Sequence, residues 1–352
     1  MTNPPDLSVV VPVYNRFALV DRTLRSLATA LNGLAAEVVI VDDGSQPGLN
    51  ATAVPSFNRL PAARIVRQTN AGSAAARVAG LRETTGRFVA FLDSDDLVAP
   101  EKYRIQLEAL QRTGAGLAYS DEATVEVGAD GTVRVVSRRT LRDEPDPLAF
   151  LLREHAFSHN PVFFGDWLRR RLLDPAIPLH PIFRPIGDTW SYHNLAWEPR
   201  SVVKVPGDLA LATIHPGERY SARWEITGVG ASALLFNFTR RPPPPPIRDE
   251  ALRHAAESAV LSARALPNGM PAAWLAVIDT ICRAWPVVPA HVGGRGFCLV
   301  ARVVGVHRAV KLMRQWQRPD YSKLKSTVTA DELRRAVEAL GDYCAMLAPS
   351  GR

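Results

Sequence analysis

The sequence of 352 residues predicts an α/β fold, in which a mainly parallel sheet with flanking helices is followed by a helical C-terminal region. Short β-branched apolar runs alternate with helix-like segments between Leu7 and Leu92, which is typical of βαβ units. Polar clusters directly follow three of these runs. Ligands of such sheets bind beyond the carboxyl ends of the strands, so these clusters are the candidate site.

The N-terminal elements are predicted from hydrophobic spacing. The first βαβ unit has strands at Leu7–Val13 and Glu37–Val41, and Leu24, Leu27 and Leu31 lie at helical spacing between them. The pattern repeats with a strand at Arg64–Arg67, an alanine-rich helix at Gly72–Thr84 and a buried strand at Arg87–Leu92.

The later part of the chain predicts a hairpin, a linker and helices. Two valine-rich runs between Val125 and Val136 flank Gly128, Asp130 and Gly131, which indicates a β-hairpin. Five consecutive prolines, Pro242–Pro246, indicate an extended spacer. We therefore predict a catalytic domain at 1–240, a proline-rich linker at 241–248 and a helical region at 249–352, with amphipathic helices at Asp249–Arg264 and Ala330–Leu347.

Composition restricts the classes of function. A net charge of +7 favours acidic partners, among them nucleotide phosphates, anionic lipid and nucleic acid, without choosing between them. Three cysteines without C-x-x-C spacing suggest neither a zinc site nor a disulfide framework, which fits a reducing cytoplasm. No secretion signal is visible, and charged residues interrupt the most apolar region, 271–310. We expect a soluble or peripheral cytoplasmic protein.

The acidic segment Asp93–Asp96 follows the buried strand R-F-V-A-F-L. Carboxylates at an exposed strand end suit Mg²⁺ or Mn²⁺, which commonly take one or two carboxylates together with substrate phosphates. The alternative is an acidic turn that caps a helix beginning near Pro100.

Two further polar clusters follow the first two strands. The pair Asp42-Asp43 precedes Gly44-Ser45, and a hydrogen-bonded turn is one interpretation of it. One carboxylate is enough for a turn, so Asp43 is favoured as a contact to a nucleobase N–H. Tyr14 is equally consistent with a ligand contact and with a packing aromatic.

The segments V-P-V-Y-N (11–15), V-D-D-G-S (41–45), N-A-G-S-A-A-A-R (70–77) and F-L-D-S-D-D (91–96) closely resemble the family-2 glycosyltransferases of the Rossmann-like GT-A fold. The resemblance covers about the first 120 residues. It implies that Asp95 holds a divalent metal, Mg²⁺ or Mn²⁺. It also implies that the nucleotide is lined by Pro12, Tyr14, Asp43, Asn70, Arg77 and Asp93. One departure is Val78, where the family often has Asn after the Arg.

The resemblance also implies a general base further along the chain. The best match is Ile186-Gly187-Asp188-Thr189-Trp190, in which Gly187 replaces the first acid of the family's motif. Asp188 would accept the proton of the acceptor hydroxyl during an inverting displacement. The alternative is that Asp188 caps a helix through Tyr192–Ala196, and Asp166 and Asp174 are weaker candidates for the base.

A later segment, Ile214–Ser221, resembles the family's histidine segment that closes over the diphosphate. By this likeness His215 would join the metal as a neutral imidazole, and Arg219 and Ser221 would contact phosphate oxygens. A structural or solvent-facing histidine is the alternative.

The activity implied is inverting transfer from a nucleotide-sugar donor, most often a UDP-sugar, to a glycan, a lipid-linked acceptor or another hydroxyl. Such chemistry belongs to polysaccharide and cell-envelope biosynthesis and predicts no nucleic-acid partner. One rival is a phosphatase or phosphotransferase of the haloacid dehalogenase type with Asp93 as nucleophile. Another is a non-catalytic nucleotide-sugar-binding scaffold, because a fold does not prove activity.

The C-terminal region is basic. Arg295, Arg302, Arg308, Lys311, Arg314, Arg318, Lys323 and Lys325 are interleaved with apolar residues. One interpretation is a surface that docks on the inner face of a membrane or on an acceptor polymer. The favoured interpretation is the solvated face of a helical domain that packs on the catalytic one or forms a homo-oligomer, because charge runs are usually just exposed.

Overall fold

The computed structural model of the protein describes most of the chain. The described residues are 4–144, 150, 154, 158–176, 179–215, 223–240, 272–284, 295–305, 308–309, 312 and 328–347. The chain forms two compact units, Met1–Leu179 with Asn194–Pro216, and His180–His193 with Gly217–Arg352. The predicted linker 241–248 and the predicted helix Asp249–Arg264 lie outside the described residues, so the domain boundary there stays a prediction.

The first unit is built on a nine-stranded sheet. The strands are β1 (Leu7–Val13), β2 (Ala36–Asp42), β3 (Ala63–Arg67), β4 (Phe88–Phe91), β5 (Leu97–Val98), β6 (Leu117–Val127), β7 (Val133–Arg139), β8 (Val162–Phe164) and β9 (Val202–Thr213). Their order is β3-β2-β1-β4-β8-β6-β9-β5, and β7 pairs with β6. All residues of β1 and β2 are buried, as expected for central strands that are covered on both faces.

Strand direction brings six carboxyl ends to one edge of the sheet. β1 is parallel to β2 and β4, and β2 is parallel to β3. β8 is antiparallel to both β4 and β6, so β6 runs with β4, and β9 is parallel to β6. The predicted α/β sheet is thus confirmed, and its first half is parallel as expected. The second half is mixed, because β5, β7 and β8 each make antiparallel pairs. The sequence pattern indicated the pair of β7 with β6 as a hairpin, but it did not indicate the pairs of β5 and β8.

Helices cover the sheet of the first unit. They are α1 (Phe17–Ala30), α2 (Ser73–Arg82), α3 (Lys102–Thr113) and α4 (Gly165–Leu172), with a 3₁₀ helix at Pro55–Arg59. α1 buries Val20, Leu24 and Leu27, which share one helical face, in the same core cluster as the side chains of β1 and β2. The predicted hairpin is confirmed by β6 and β7, whose exposed turn lies between them.

The second unit is helical. Its elements are a 3₁₀ helix at Pro181–Ile186, α5 (Gly187–Ala196, which runs on into residues of the first unit), α6 (Trp224–Arg240), α7 (Ala272–Ala284), α8 (Arg295–Val304) and α9 (Ala330–Met346). The indole N–H of Trp274 donates to Ser232 Oγ at 2.8 Å, joining α7 to α6. Thr329 forms a capping box with Glu332 at the start of α9. The predicted helical C-terminal region is therefore confirmed.

The basic C-terminal residues are described only in part. Arg295, Arg302 and Arg308 are exposed. Lys311, Arg314, Arg318, Lys323 and Lys325 lie outside the described residues. Within the described ranges, no helix combines the length and the apolar character that crossing a bilayer requires.

Candidate functional site

Asp43 joins the end of β2 to the loop that precedes α2. Its Oδ1 accepts hydrogen bonds from Gln68 Nε2 (2.7 Å) and the Ala71 N–H (2.8 Å), and its Oδ2 accepts one from the Gly72 N–H (2.8 Å). Gly72 adopts φ 93°, which a residue with a side chain rarely does. An ionised carboxylate has about four acceptor positions, so one position on Oδ2 is left for a ligand donor. The nucleobase contact of Asp43 stays a prediction.

The neighbouring Asp42 explains the turn after β2. Its carboxylate accepts from the Ser45 N–H at 2.8 Å and from the Leu49 N–H at 3.0 Å, and the residue is fully buried. The turn interpretation of the two acids therefore applies to Asp42. Asp43 instead fixes the loop at 70–72, where Asn70 Nδ2 donates to the Asp43 carbonyl at 3.0 Å.

Asp93 is enclosed by protein donors at the end of β4. Arg77, on α2, donates to its Oδ1, and the Ser158 hydroxyl donates to its Oδ2. Arg77 also donates to Ser158 Oγ at 3.1 Å. Burial raises the pKa of Asp93, but Arg77 and the Ser158 hydrogen bond outweigh burial and hold that pKa below its usual range. Asp93 is therefore an anion fixed in place by the protein.

His159 is fully buried behind this pair. Its Nδ1 lies 3.3 Å from Asp96 Oδ2, and Asp93, Asp96 and His159 each place one possible ligand atom within 4.8 Å of the others. Burial, helped by Lys102 and Arg77, lowers the pKa of His159 to about 3 against the attraction of Asp93. The imidazole is therefore neutral near pH 7, as a metal ligand would be.

Asp95 and His215 form a second acid–histidine pair where β4 and β9 end. His215 Nε2 lies 2.9 Å from Asp95 Oδ2, and Arg16 Nη1 lies 3.7 Å from the same oxygen. Two neighbouring ligands of an octahedral Mg²⁺ at 2.0–2.1 Å stand about 3 Å apart, so the spacing of this pair suits one divalent cation. The Asp95 side chain is 30% exposed, so incoming phosphate oxygens can reach the pair.

Of the two clusters, the Asp95–His215 pair fits a cation better. Both oxygens of Asp93 already accept from protein groups, and Asp96 Oδ1 accepts from the Thr213 N–H at 2.8 Å. His159 is fully buried, whereas Asp95 is partly open. The capping alternative for this acidic segment is not supported, because α3 starts at Lys102 after Glu101 and has no side-chain cap.

The remaining predicted residues fall in different places. Pro12 is buried in β1, while Tyr14 is 53% exposed at its end and so is not a packing aromatic of the core. Asp188 lies in the first turn of α5, in the second unit, and its role as base stays a prediction. Arg219 and Ser221 lie outside the described residues.

Several residues at this edge of the sheet were not predicted from the sequence. Ser158 and His159 come from a segment just before β8 that carries no recognisable pattern. Arg22, on α1, donates to the Asp95 carbonyl at 3.3 Å and to Thr213 Oγ1 at 3.1 Å, and Arg16 approaches the Asp95 carboxylate. A signal for Arg16 was available, because it directly follows the Tyr14-Asn15 motif.

Comparison with solved structures supports the fold. The fold resembles that of S. aureus TarS residues 1–349, with a TM-score of 0.62 and 18% identity over 89% of this chain and 92% of TarS 1–349. It also resembles a mannosyltransferase, PcManGT from Pyrobaculum calidifontis, with a TM-score of 0.52 and 17% identity over 99% of this chain and 89% of that one. The mixed sheet with flanking helices resembles the GT-A fold of TarS.

Comparison of sequences supports the family resemblance in the N-terminal part of the chain. Residues 8–151 match the profile of Glycosyl transferase family 2. The succinoglycan biosynthesis protein ExoO of Rhizobium meliloti is 35% identical over 178 residues, which are 48% of this chain and 49% of ExoO. The validoxylamine A glucosyltransferase of Streptomyces hygroscopicus is 41% identical over 110 residues, or 30% of this chain and 25% of that protein. The chain thus spans half or less of these relatives, and the matches support a glycosyltransferase enzyme.

Proposed function

We propose that the protein is an inverting glycosyltransferase that moves a sugar from a nucleoside diphosphate sugar to an acceptor hydroxyl with the help of a divalent cation. The observation that carries the proposal is the convergence of Asp43, Asp93, Asp95 and His215 on one edge of the sheet. The family match over residues 8–151 supports the same conclusion.

The described residues along this edge take different roles in the proposed reaction. Asp43 and its loop offer an acceptor to a nucleobase N–H, and Arg77 and Asp93 form a fixed charged pair beside it. Asp95 and His215 would hold Mg²⁺ or Mn²⁺, whose chemistry is to neutralise the charge of a departing diphosphate. Arg219 and Ser221 would add phosphate contacts.

The acceptor hydroxyl needs a base. We assign that role to Asp188 through its resemblance to the family's motif. Proton acceptance by a carboxylate while the hydroxyl oxygen attacks from the face opposite the diphosphate gives inversion, and such base catalysis is typically worth about 10²- to 10⁴-fold in rate.

UDP is the proposed nucleotide, and a glycan or lipid-linked saccharide is the proposed acceptor. TarS has been solved with UDP-GlcNAc and PcManGT with GDP-Man and Mn²⁺, so related folds accept different donors. The name of ExoO links it to succinoglycan, which favours polysaccharide synthesis for this chain as well. The geometry disfavours the phosphatase alternative, because Arg77 and Ser158 occupy both oxygens of Asp93 that a nucleophile would use.

A thermal-shift screen tests the proposal. UDP, GDP, CDP and ADP and their common sugars are added with and without Mn²⁺, and a ligand that binds only the folded protein raises its melting temperature. We expect one nucleotide to stabilise the protein, more strongly with Mn²⁺. If none of them shifts the melting temperature with metal present, the proposal fails.

The scaffold alternative needs a separate measurement. The Asp188→Asn variant is expected to keep the nucleotide shift and to lose turnover, with Asp279→Asn, a partly exposed acid on α7, as the control. A wild-type protein that binds the donor but neither transfers nor hydrolyses its sugar would instead be a binding scaffold.

A further inference from the structure

A surface cleft opens beside His215 at the tip of the β6–β7 hairpin. Its volume is about 510 Å³, which lies within the range of small-molecule sites. Residues that line this hairpin cleft include Glu126, Val127, Thr132, Arg134, Ile214 and His215. All of them belong to the first unit.

The hairpin cleft adjoins the Asp95–His215 pair, because His215 belongs to its lining. β6 and β9 are parallel and end at the same edge, and the Ile214 N–H donates to the Val125 carbonyl at 2.9 Å. The Asp43 and Asp93 side chains follow β2 and β4, on the other half of the sheet. If a donor binds with its nucleotide on that half of the sheet and its diphosphate at the Asp95–His215 pair, the sugar to be transferred lies toward β6 and β9.

The lining of the hairpin cleft has the character of a saccharide site. Ile214 is 40% exposed and provides an apolar surface beside Val127. Glu126 and Arg134 form an ion pair whose side chains are 45% and 72% exposed, so their remaining acceptor and donor positions can reach a ligand. A sugar offers an apolar C–H face and hydroxyls that both donate and accept. The Glu126–Arg134 pair is neutral overall and so favours an uncharged polar ligand over an anion.

We propose that the hairpin cleft binds the carbohydrate acceptor, with Ile214 against the apolar face of a sugar ring and with Glu126 and Arg134 bound to its hydroxyls. This assignment rests on the proposed function for its role in transfer. Glu126 and Arg134 are acceptor-binding residues in this scheme, and neither takes part in proton transfer.

Sugar binding can be measured on the full chain without knowing the natural acceptor. The probes are the methyl glycosides of glucose, galactose, mannose and N-acetylglucosamine, titrated at millimolar concentrations against ¹⁵N-labelled protein and followed by NMR. At least one glycoside is expected to shift the amide resonances of Glu126, Val127 and Thr132. The double variant Glu126→Ala with Arg134→Ala should weaken that binding about tenfold, since each lost hydrogen bond to a charged group contributes substantially.

The control variant is Arg138→Ala, on the same strand. Arg138 pairs with Asp208 and is not among the residues lining the cleft. It should bind the glycoside as the wild type does. Both variants should fold, because exposed ion pairs contribute little to stability. Absence of binding by all four glycosides, or equal binding by the double variant, would overturn the proposal.

Two further outcomes separate this inference from the proposed function. The double variant should keep the full thermal stabilisation by UDP and by a UDP-sugar. If it loses the extra stabilisation given by the sugar of the UDP-sugar, the cleft holds the donor sugar and the acceptor assignment is wrong. If the wild type binds glycosides in the cleft but no nucleotide, the proposed function fails while the sugar site stands.

Discussion

The two acids Asp93 and Asp95 stand two residues apart, yet their surroundings differ. Asp93 is held by Arg77, which is 5% exposed, and by the Ser158 hydroxyl. Asp95 faces His215 and the half-exposed Arg16. The two carboxylates are almost equally exposed, 28% for Asp93 and 30% for Asp95, so they differ in their partners and not in their access to solvent. We therefore expect Asp93 to keep its protein partners and Asp95 to exchange Arg16 for a ligand.

The largest expected effect comes from Asp95. Asp95→Asn removes the anionic ligand from the Asp95–His215 pair, and kcat/KM for sugar transfer should fall about 10²- to 10³-fold, as when other groups that stabilise transition-state charge are removed. The Mn²⁺-dependent part of the nucleotide thermal shift should disappear as well. Asp279→Asn, a partly exposed acid on α7, serves as the control. If the nucleotide thermal shift depends on Mn²⁺ equally in the wild type and in Asp95→Asn, Asp95 does not bind the cation.

Asp93 is expected to act mainly through stability. Arg77→Met removes a buried cation that donates to the partly exposed Asp93 carboxylate, which should cost about 2 kcal/mol of unfolding free energy. Urea denaturation measures the change. Arg82→Met lies on the same helix with an exposed side chain and should cost less than about 0.5 kcal/mol. A loss below about 1 kcal/mol for Arg77→Met would contradict the view of Asp93 as a fixed anion.

Glu37 sharpens the comparison, because it is an enclosed acid at the opposite edge, near the amino end of β2. It accepts from Ser8 Oγ, Arg64 and Thr85, and although burial raises its pKa, these hydrogen bonds lower that pKa to about 2. The folded pKa lies below the ordinary value of 4.5, so the stabilisation is fully present above pH 4.5 and is lost as pH falls through 2.

Glu37→Gln should therefore cost about 2 to 3 kcal/mol of unfolding free energy at pH 7, and the gap to wild type should narrow to about half at pH 3. Denaturation at the two pH values measures this. The thermal shift given by the nucleotide should be unchanged, since Glu37 lies away from the sheet edge that carries Asp43, Asp93 and Asp95. A gap that does not depend on pH would mean that packing, and not the charge of Glu37, is responsible.

The smallest effect is expected at Arg16. Its guanidinium competes with a cation for Asp95, so Arg16→Asn should bind Mn²⁺ about two- to threefold more tightly, within the range for an exposed ion pair. Asn tolerates the left-handed backbone at this position, where φ is 57°. Isothermal titration measures the affinity, with Arg25→Asn as control. Weaker Mn²⁺ binding would show that Arg16 supports the site.

Much of the candidate site can be predicted from the sequence, because the ends of strands can be located from apolar runs. The ends of β1, β2 and β4 gave Tyr14, Asp43 and Asp93–Asp95, and the structure brings these residues to one edge. The pairing of His215 with Asp95 was also expected, although 120 residues separate them.

Other parts could not be predicted for physical reasons. β8 has three residues and β5 has two, too few to show a period, yet β8 reverses the direction of the sheet between β4 and β6. Ser158 and His159 meet Asp93 and Asp96 through tertiary packing alone. The buried Asn160, which donates to Glu122 and accepts from the Ser120 N–H, likewise has no local pattern.

The strand β7 has a consequence for the behaviour of the protein in concentrated solution. All seven of its residues are exposed, and Arg134, Arg138 and Arg139 are interleaved with valines. A hydrophobic strand of this length would invite edge-to-edge pairing between molecules, and charged side chains are a common means of preventing it. Neutralising these arginines would therefore be expected to promote aggregation even where the fold is retained.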